Sequence, residues 1–365
     1  MRFVFASYVF TKEFNSPEAW IDRIKAYTGI LEALAKNNQV TSIEQIDYDG
    51  EYSKGGVQYY FKRFSKLGLL FPRKLHGFIK NQKPDVVVIQ SLHFPLQVIQ
   101  LRLRLGRNTK IIIQNHAEKP HNGIKKYLQK LADRCVDAYL FASHDLGADW
   151  VKGSNLASVE KIYEVMEVSS VFSPMDRIEA ISKTGVADGL IFLWVGRLNA
   201  NKDPLTVIKA FLRFSEINPS AHLYMIYHTD ELLTEIKEIL DSSPRKDAVS
   251  LVGKVPHIEL QYWYNSADVF LSGSHYEGSG TAVCEAMSCG CMPVVTDIFS
   301  FRMITNNGQC GLLYEAGNDA GLLSALKQTL QINIPEKQKL SLEYFRANLS
   351  FEAIAGKIQE IAASL

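Results

Sequence analysis

The sequence predicts an α/β protein made of two doubly wound domains, and three observations carry that expectation. Short runs rich in Val, Ile, Phe and Tyr recur at 2–9, 40–47, 85–91, 110–115, 137–143 and 161–167. A second set follows at 190–196, 221–228, 249–255, 269–273, 292–297 and 311–315. Most intervals between runs are long enough for a helix, and strands alternating with helices imply parallel sheets buried on both faces. Between the sets, residues 169–188 carry Ser, Pro, Met-Asp and Thr-Gly with weak periodicity, as a linker would. Finally, 365 residues exceed what one core usually fills, roughly 250–300. The expected domains are 1–170 and 188–349, joined by a linker at 171–187, with a last helix, 350–365, packing back on the first domain.

The elements follow from local pattern. Residues 21–35 (IDRIKAYTGILEALA) and 204–217 (PLTVIKAFLRFSEI) place apolar residues at helical spacing. Residues 342–365 read as helix with a break at Asn348-Leu-Ser350. Ser350 suits the new start, and Ile354, Ile358 and Ile361 form one stripe. Asp47-Tyr48-Asp49 resembles a divalent-metal doublet, but Asp49-Gly50 reads as a turn after a strand.

Composition excludes several classes. At 47% hydrophobic and 22% charged, with 23 Gly and 12 Pro, the chain is neither disordered nor collagenous. Its five cysteines, an odd number without framework spacing, imply reduced thiols and a cytoplasmic setting. Cys289-Gly-Cys291 lacks the further ligands that a metal site needs, so no metal is expected. The start has no signal-peptide h-region, and no run approaches 18 apolar residues.

The net charge of +1 conceals an uneven distribution. Residues 1–175 hold 24 basic and 17 acidic side chains, residues 176–365 hold 16 and 22, and residues 51–130 hold 16 and 3. Within that surplus, residues 59–80 carry six Lys or Arg, six aromatics and no acid. Two readings are open. The stretch is an interfacial segment meeting anionic headgroups at the inner face of a membrane, or a core-packed helix with a solvated basic face. No nucleic-acid motif accompanies the charge.

Chemistry is expected in loops past the carboxyl ends of strands, where open α/β sheets bind ligands. The strand at 190–196 ends in Gly196-Arg197-Leu-Asn-Ala-Asn-Lys202-Asp203-Pro204. There Arg197 and Lys202 suit a phosphate or diphosphate, or are solvated loop charges. After 269–273 comes His275-Tyr-Glu277-Gly278-Ser279-Gly280-Thr281-Ala282-Val-Cys-Glu285. The glycines let backbone approach a ligand, and Thr281 opens a helix whose positive end favours an anion. Glu277 and Glu285 beside that helix start suit the hydroxyls of sugar and ribose. Both are otherwise surface charges. In the first half, His116 follows the strand at 110–115, and Ser143-His144 stand similarly after 137–143. Alone, His116 reads better as a structural histidine.

Glu277 and Glu285 within EGSGTAVCEAMSCG, preceded by GRLNANKDP and VGKV, resemble the retaining glycosyltransferases of family 4. The likeness is strong over about 188–320 and looser over the N-terminal half. It implies a GT-B fold, two Rossmann-like domains facing across a cleft. The C-terminal domain would hold a nucleoside-diphosphate sugar, the donor and not a cofactor. Arg197 and Lys202 match the residues that neutralise the diphosphate, Glu277 the acid near the donor sugar, and Glu285 the acid on the ribose. Gly196, the 278–281 backbone and Ala282 would line the donor, with Val255 beside the nucleobase. The resemblance also brings His116 to the sugar or reaction centre. The implied reaction transfers the sugar to an acceptor hydroxyl with retention, by front-face attack and without metal, in glycan, polysaccharide or glycolipid synthesis. The acceptor on the N-terminal domain would be a glycan or lipid-linked molecule, an anionic one matching the basic surplus there.

Two departures stand out. The Gly-Gly turn usual after the first strand is replaced by the glycine-free loop 7–17, and the Asn-Gly turn before the linker by Met166-Glu167-Val168-Ser169. Two other readings stay open: a nucleotide-sugar epimerase of similar layout, and a non-catalytic nucleotide-sugar-binding subunit.

Overall fold

A computed structural model describes residues 1–64 and 66–365, with backbone alone at 66 and 67. It divides into two compact units, Met1–Ser169 with Phe351–Leu365, and Ser170–Ser350.

The first unit has an eight-stranded sheet: β1 (Arg2–Ser7), β2 (Gln39–Glu44), β3 (Gly50–Lys54), β4 (Val57–Phe61), β5 (Val86–Gln90), β6 (Lys110–Gln114), β7 (Ala138–Phe141) and β8 (Ile162–Glu164). Their order is β3-β4-β2-β1-β5-β6-β7-β8, parallel except for β3 against β4. The central strands are almost wholly apolar, as burial on both faces requires, and Phe3 pairs with Val40 on one side and Val86 on the other. The order reverses between β1 and β5, so ligand-binding loops belong at the carboxyl ends there.

The antiparallel hairpin β3–β4 is absent from the sequence-based expectation. Its turn is Gly55-Gly56, with φ of +57° and +82°, the conformation that a two-residue hairpin turn requires at both positions. This corrects the reading of 59–80 as one interfacial segment. Tyr59 and Phe61 face the core as alternate residues of β4, and Leu75 and Ile79 are buried from the helix Arg73–Asn81. Lys62 pairs with Asp49 at 3.1 Å, and Arg63 with Asp47 at 3.4 Å, so the metal-like doublet is instead an ion-pair partner of this stretch. Ser65, and the side chains of Lys66 and Leu67, lie outside the described residues.

The helix expected at 21–35 is two helices, Pro17–Arg23 and Lys25–Ala35, broken at Ile24, whose φ of −107° is not helical. The helix Phe351–Ser364 lies against Lys25–Ala35. Gly29 makes that approach feasible, since a Cβ there would stand 2.5 Å from the Phe351 ring. Lys36 to Glu352 at 3.0 Å and Asn38 to Gln359 at 2.7 Å flank the seam.

The second unit holds six parallel strands: β9 (Ile191–Gly196), β10 (His222–Tyr227), β11 (Val249–Gly253), β12 (Val269–Ser272), β13 (Met292–Thr296) and β14 (Leu312–Tyr314). The order β11-β10-β9-β12-β13-β14 reverses between β9 and β12. Phe192 on β9 packs edge-on against Phe211 and Phe214 of the helix Pro204–Ile217. Residues 171–187, expected as a linker, belong to this unit. They contain the helix Arg177–Thr184, fastened by Arg177 to Asp268 at 2.7 and 3.1 Å. Its weak periodicity reflects a short helix with few buried positions, Ala180 among them.

Candidate active site

In the second unit two loops run side by side past the carboxyl ends of β9 and β12, at the reversal of strand order. Gly273 permits it, because a Cβ there would meet the Asp203 carbonyl oxygen at 2.9 Å. The loops are laced together: His275 N donates to the Asn201 carbonyl at 2.8 Å, and Asn201 Nδ2 donates to the Tyr276 carbonyl at 3.0 Å. Asp203, in the left-handed region at φ +41°, caps the Pro204–Ile217 helix through Thr206 N and lies 3.2 Å from His275 Nε2.

This lacing delivers Lys202 to Glu277, and the two form an ion pair in which both side chains are largely shielded. Ser300 Oγ donates to the Glu277 carbonyl at 2.6 Å and fixes the backbone there. Ser279 and Gly280 are buried, and Gly280 at φ +55° starts the helix Thr281–Ser288. No side chain caps that start, so its first amides point at whatever anion arrives. Ala282 is half-buried at the same turn, and Gly196 ends β9. Arg197 is exposed and makes no ion pair among the described residues.

Glu285 is buried, 5% exposed, not a surface charge. Its Oε1 stands 2.7 Å from His257 Nε2, and its Oε2 accepts from the Tyr264 hydroxyl at 2.9 Å. Burial, then the Glu285 charge, pushes the Tyr264 hydroxyl well above its ordinary pKa, which keeps it a donor. His257 follows Val255 past the end of β11 and packs on Phe172, ring centroids 5.0 Å apart. Sequence reasoning missed both partners. They lie 28 and 21 residues from Glu285, and the one signal was that His257 closely follows the VGKV turn.

In the first unit, His116 sits just past β6 with both ring nitrogens facing acceptors. Nδ1 is 2.8 Å from Glu167 Oε2, and Nε2 is 2.7 Å from Gln90 Oε1 at the end of β5. Gln90 in turn donates to Tyr27 at 3.2 Å. Glu118 accepts from His116 N at 2.6 Å and from Asn115 Nδ2 at 2.7 Å. Burial pulls the His116 pKa down, but the hydrogen bond and charge of Glu167, then the charge of Glu118, outweigh it. The net shift is upward, toward imidazolium. Glu167, without a role in the sequence, is thus the partner of His116.

Elsewhere in this unit, the glycine-free loop buries Tyr8, whose hydroxyl lies 2.8 Å from His76 Nε2. Burial, with Arg104 adding, lowers His76 to about 4, so it is neutral there. Ser143 caps the helix His144–Lys152, and His144 N donates to Glu164 at 3.1 Å.

The cysteines are unpaired thiols, Cys289 pushed up to about 12 by burial. Among the described residues no group of His, Cys, Asp and Glu could hold a metal ion, and no helix is long and apolar enough to cross a membrane.

Residues 176–343 match the family model described as Glycosyl transferases group 1. The chain is 26% identical over 179 residues to the D-inositol 3-phosphate glycosyltransferase of Thermobifida fusca, covering 46% of this chain and 40% of that one. It thus spans less than half the length of that curated relative. A Campylobacter jejuni alpha-1,4-N-acetyl-D-galactosaminyltransferase, named for an acceptor on PP-undecaprenol, is 25% identical, covering 68% of this chain and 63% of that one. Among solved structures, Anabaena HepE in complex with UDP superposes with a TM-score of 0.74 at 13% identity, covering all of both chains.

Proposed function

We propose, from the match of residues 176–343 to the glycosyl transferases group 1 model and from the GT-B fold, that the chain is a retaining hexosyltransferase using a nucleoside-diphosphate sugar. The observation that carries the proposal is the Lys202–Glu277 pair beside the uncapped start of the Thr281–Ser288 helix. One small region thus offers cations and amides for a diphosphate and a carboxylate for sugar hydroxyls.

The assigned roles follow from donor and acceptor chemistry. Lys202 and Arg197 neutralise the diphosphate, and the amides of the 278–282 turn take up charge that develops as the bond to the anomeric carbon breaks. Glu277 accepts from a sugar hydroxyl while holding Lys202 in place. Each Glu285 oxygen accepts one protein hydrogen bond and keeps capacity for a second, which suits ribose hydroxyls as further donors. Val255 and Gly196 flank the nucleotide. His116, held by Glu167 and Gln90, is the catalytic group assigned to the first unit, which takes the acceptor, a glycan or lipid-linked glycan. The diphosphate's leaving oxygen removes the acceptor proton, so no metal or further cofactor is invoked. Five unpaired thiols favour the cytoplasm as the compartment.

The test begins with UDP, GDP and ADP in thermal melts. A matched nucleotide at a hundred times its Kd stabilises by about 2.7 kcal/mol. Products are then analysed with the matched sugar donor, with and without acceptor. Epimerised sugar formed from donor alone makes the chain an epimerase and ends this reading. So does activity that EDTA abolishes and magnesium restores.

A further inference from the structure

We propose that the helices Pro95–Leu105 and Gly123–Ala132 of the first unit form a docking surface for an anionic lipid bilayer. The argument begins with what these helices leave outside. Leu103 is 82% exposed and Ile124 81%, the two most exposed large apolar side chains among the described residues, and Tyr127 and Leu131 are also open. The helices pack on each other. At about 100° per residue, Ile124, Tyr127 and Leu131 fall within an arc of about 60°. The core side of the same helix is taken by Gln129 and Ala132. An apolar stripe turned to solvent is the reverse of ordinary surface-helix patterning.

Charge selects the occupant. Gly123–Ala132 carries Lys125, Lys126 and Lys130, and Pro95–Leu105 with the turn after it carries Arg102, Arg104 and Arg107, with no acid in either segment. Arg102 is spent inside the fold, on Asp137 and on the Gly106 and Thr109 carbonyls. Lys126, Lys130, Arg104 and Arg107 make no ion pair among the described residues. Glu118 is the sole acid from 86 to 132, and it is engaged by Asn115 and His116. The border of the patch is also apolar: Phe71 is 55% exposed, next to Leu69 and Leu70, whose carbonyls accept from Gln97 and Gln100 of the Pro95–Leu105 helix. Cations around an aromatic and aliphatic stripe fit headgroup phosphates with acyl chains beneath. A protein partner of the same breadth would meet a surface without carboxylates, which favours a uniformly negative, deformable partner. The surface lies on residues other than those of the donor site and stands whether or not the transferase reading does.

The test is co-sedimentation of the whole chain with vesicles of equal parts phosphatidylglycerol and phosphatidylcholine, against phosphatidylcholine alone. Binding is expected to the first only, and to weaken with salt. The triple variant Ile124→Ser, Tyr127→Ser, Leu131→Ser should bind at least about tenfold more weakly. Lys125→Gln, Lys126→Gln and Lys130→Gln should each cost up to about fivefold. Ile124, Tyr127, Lys130 and Leu131 are exposed, and Lys125 and Lys126 are half-buried with Lys125 Nζ 3.3 Å from His93 Nδ1, so melting temperatures of every variant serve as the folding control and should stay unchanged for the triple variant and Lys130→Gln. The proposal is overturned by an intact chain that ignores anionic vesicles, or by a triple variant that binds like the parent. It is equally overturned if the stripe instead mediates self-association that the triple variant abolishes.

Discussion

His116 shows how one side chain is prepared by its neighbours. An imidazole between a carboxylate and an amide oxygen gains more from a second proton than burial removes, so its pKa rises above the ordinary value of about 6.5. The sign follows directly. The interaction's stabilising contribution is complete below the unfolded value and is lost as pH climbs through the raised folded value. Glu167→Gln should lower the His116 midpoint in an NMR titration and move the matching limb of the rate profile with it. A midpoint unmoved by that change would remove Glu167 as the cause. For the second unit, Glu277→Ala should abolish transfer while largely sparing nucleoside-diphosphate binding by calorimetry, whereas Lys202→Ala should weaken both. Equal loss of both in Glu277→Ala would show that the carboxylate serves mainly to hold Lys202. Glu285→Ala strands the Tyr264 hydroxyl and should cost about 1–3 kcal/mol in chemical denaturation, beyond any effect on nucleotide affinity.

Two helix contacts make the element-scale case. Gly29 lies under Phe351 so closely that any side chain must push the helices apart. Gly29→Val is expected to cost about 1–3 kcal/mol from overpacking, read by denaturant midpoint, while Gly356→Ala, with nothing within 4 Å, should be nearly neutral. Gly280→Ala combines a left-handed backbone with a Cβ 2.7 Å from Phe301, so it should distort the helix mouth and depress nucleotide binding more than global stability. This is also the scale at which the sequence is most and least legible. All twelve runs of β-formers are strands, because buried parallel strands announce themselves as uninterrupted Val, Ile and Phe. The hairpin at 50–61 escaped because Gln58, Tyr60 and the polar β3 interrupt that pattern, although Gly55-Gly56 signalled a turn. Loop motifs assigned Lys202 and Glu277 each to a loop past a strand's carboxyl end, and the structure brings the two together. The partners of Glu285 and His116 stayed hidden, since hydrogen bonds between distant segments leave no periodicity to read.

At the scale of the whole molecule, the +1 net charge is the sum of a basic first half and an acidic second half. The acidic half is nevertheless the one assigned to a diphosphate, which means that a few fixed cations and a helix start, not bulk charge, govern that binding. Adding the matched nucleoside diphosphate should therefore give its strongest hydrogen-exchange protection over 196–204, 253–257 and 273–289. Protection centred on the β3–β4 hairpin would relocate the donor to the first unit. The surplus of the first half has another address: Lys62 and Arg63 are taken by Asp49 and Asp47, and the lysines of Gly123–Ala132 make no ion pair among the described residues.

The return of Phe351–Ser364 to Lys25–Ala35 sets an order of events at the ribosome. Residues 1–169 emerge first, yet the surface of Gly29 stays uncovered until the entire second unit has been translated. The second unit is continuous in sequence and can close upon itself as soon as it is released, whereas the first must wait with an open seam. Chaperone engagement during synthesis should accordingly concentrate on the earlier-made half, inverting the usual expectation that domains mature from the N-terminus onward.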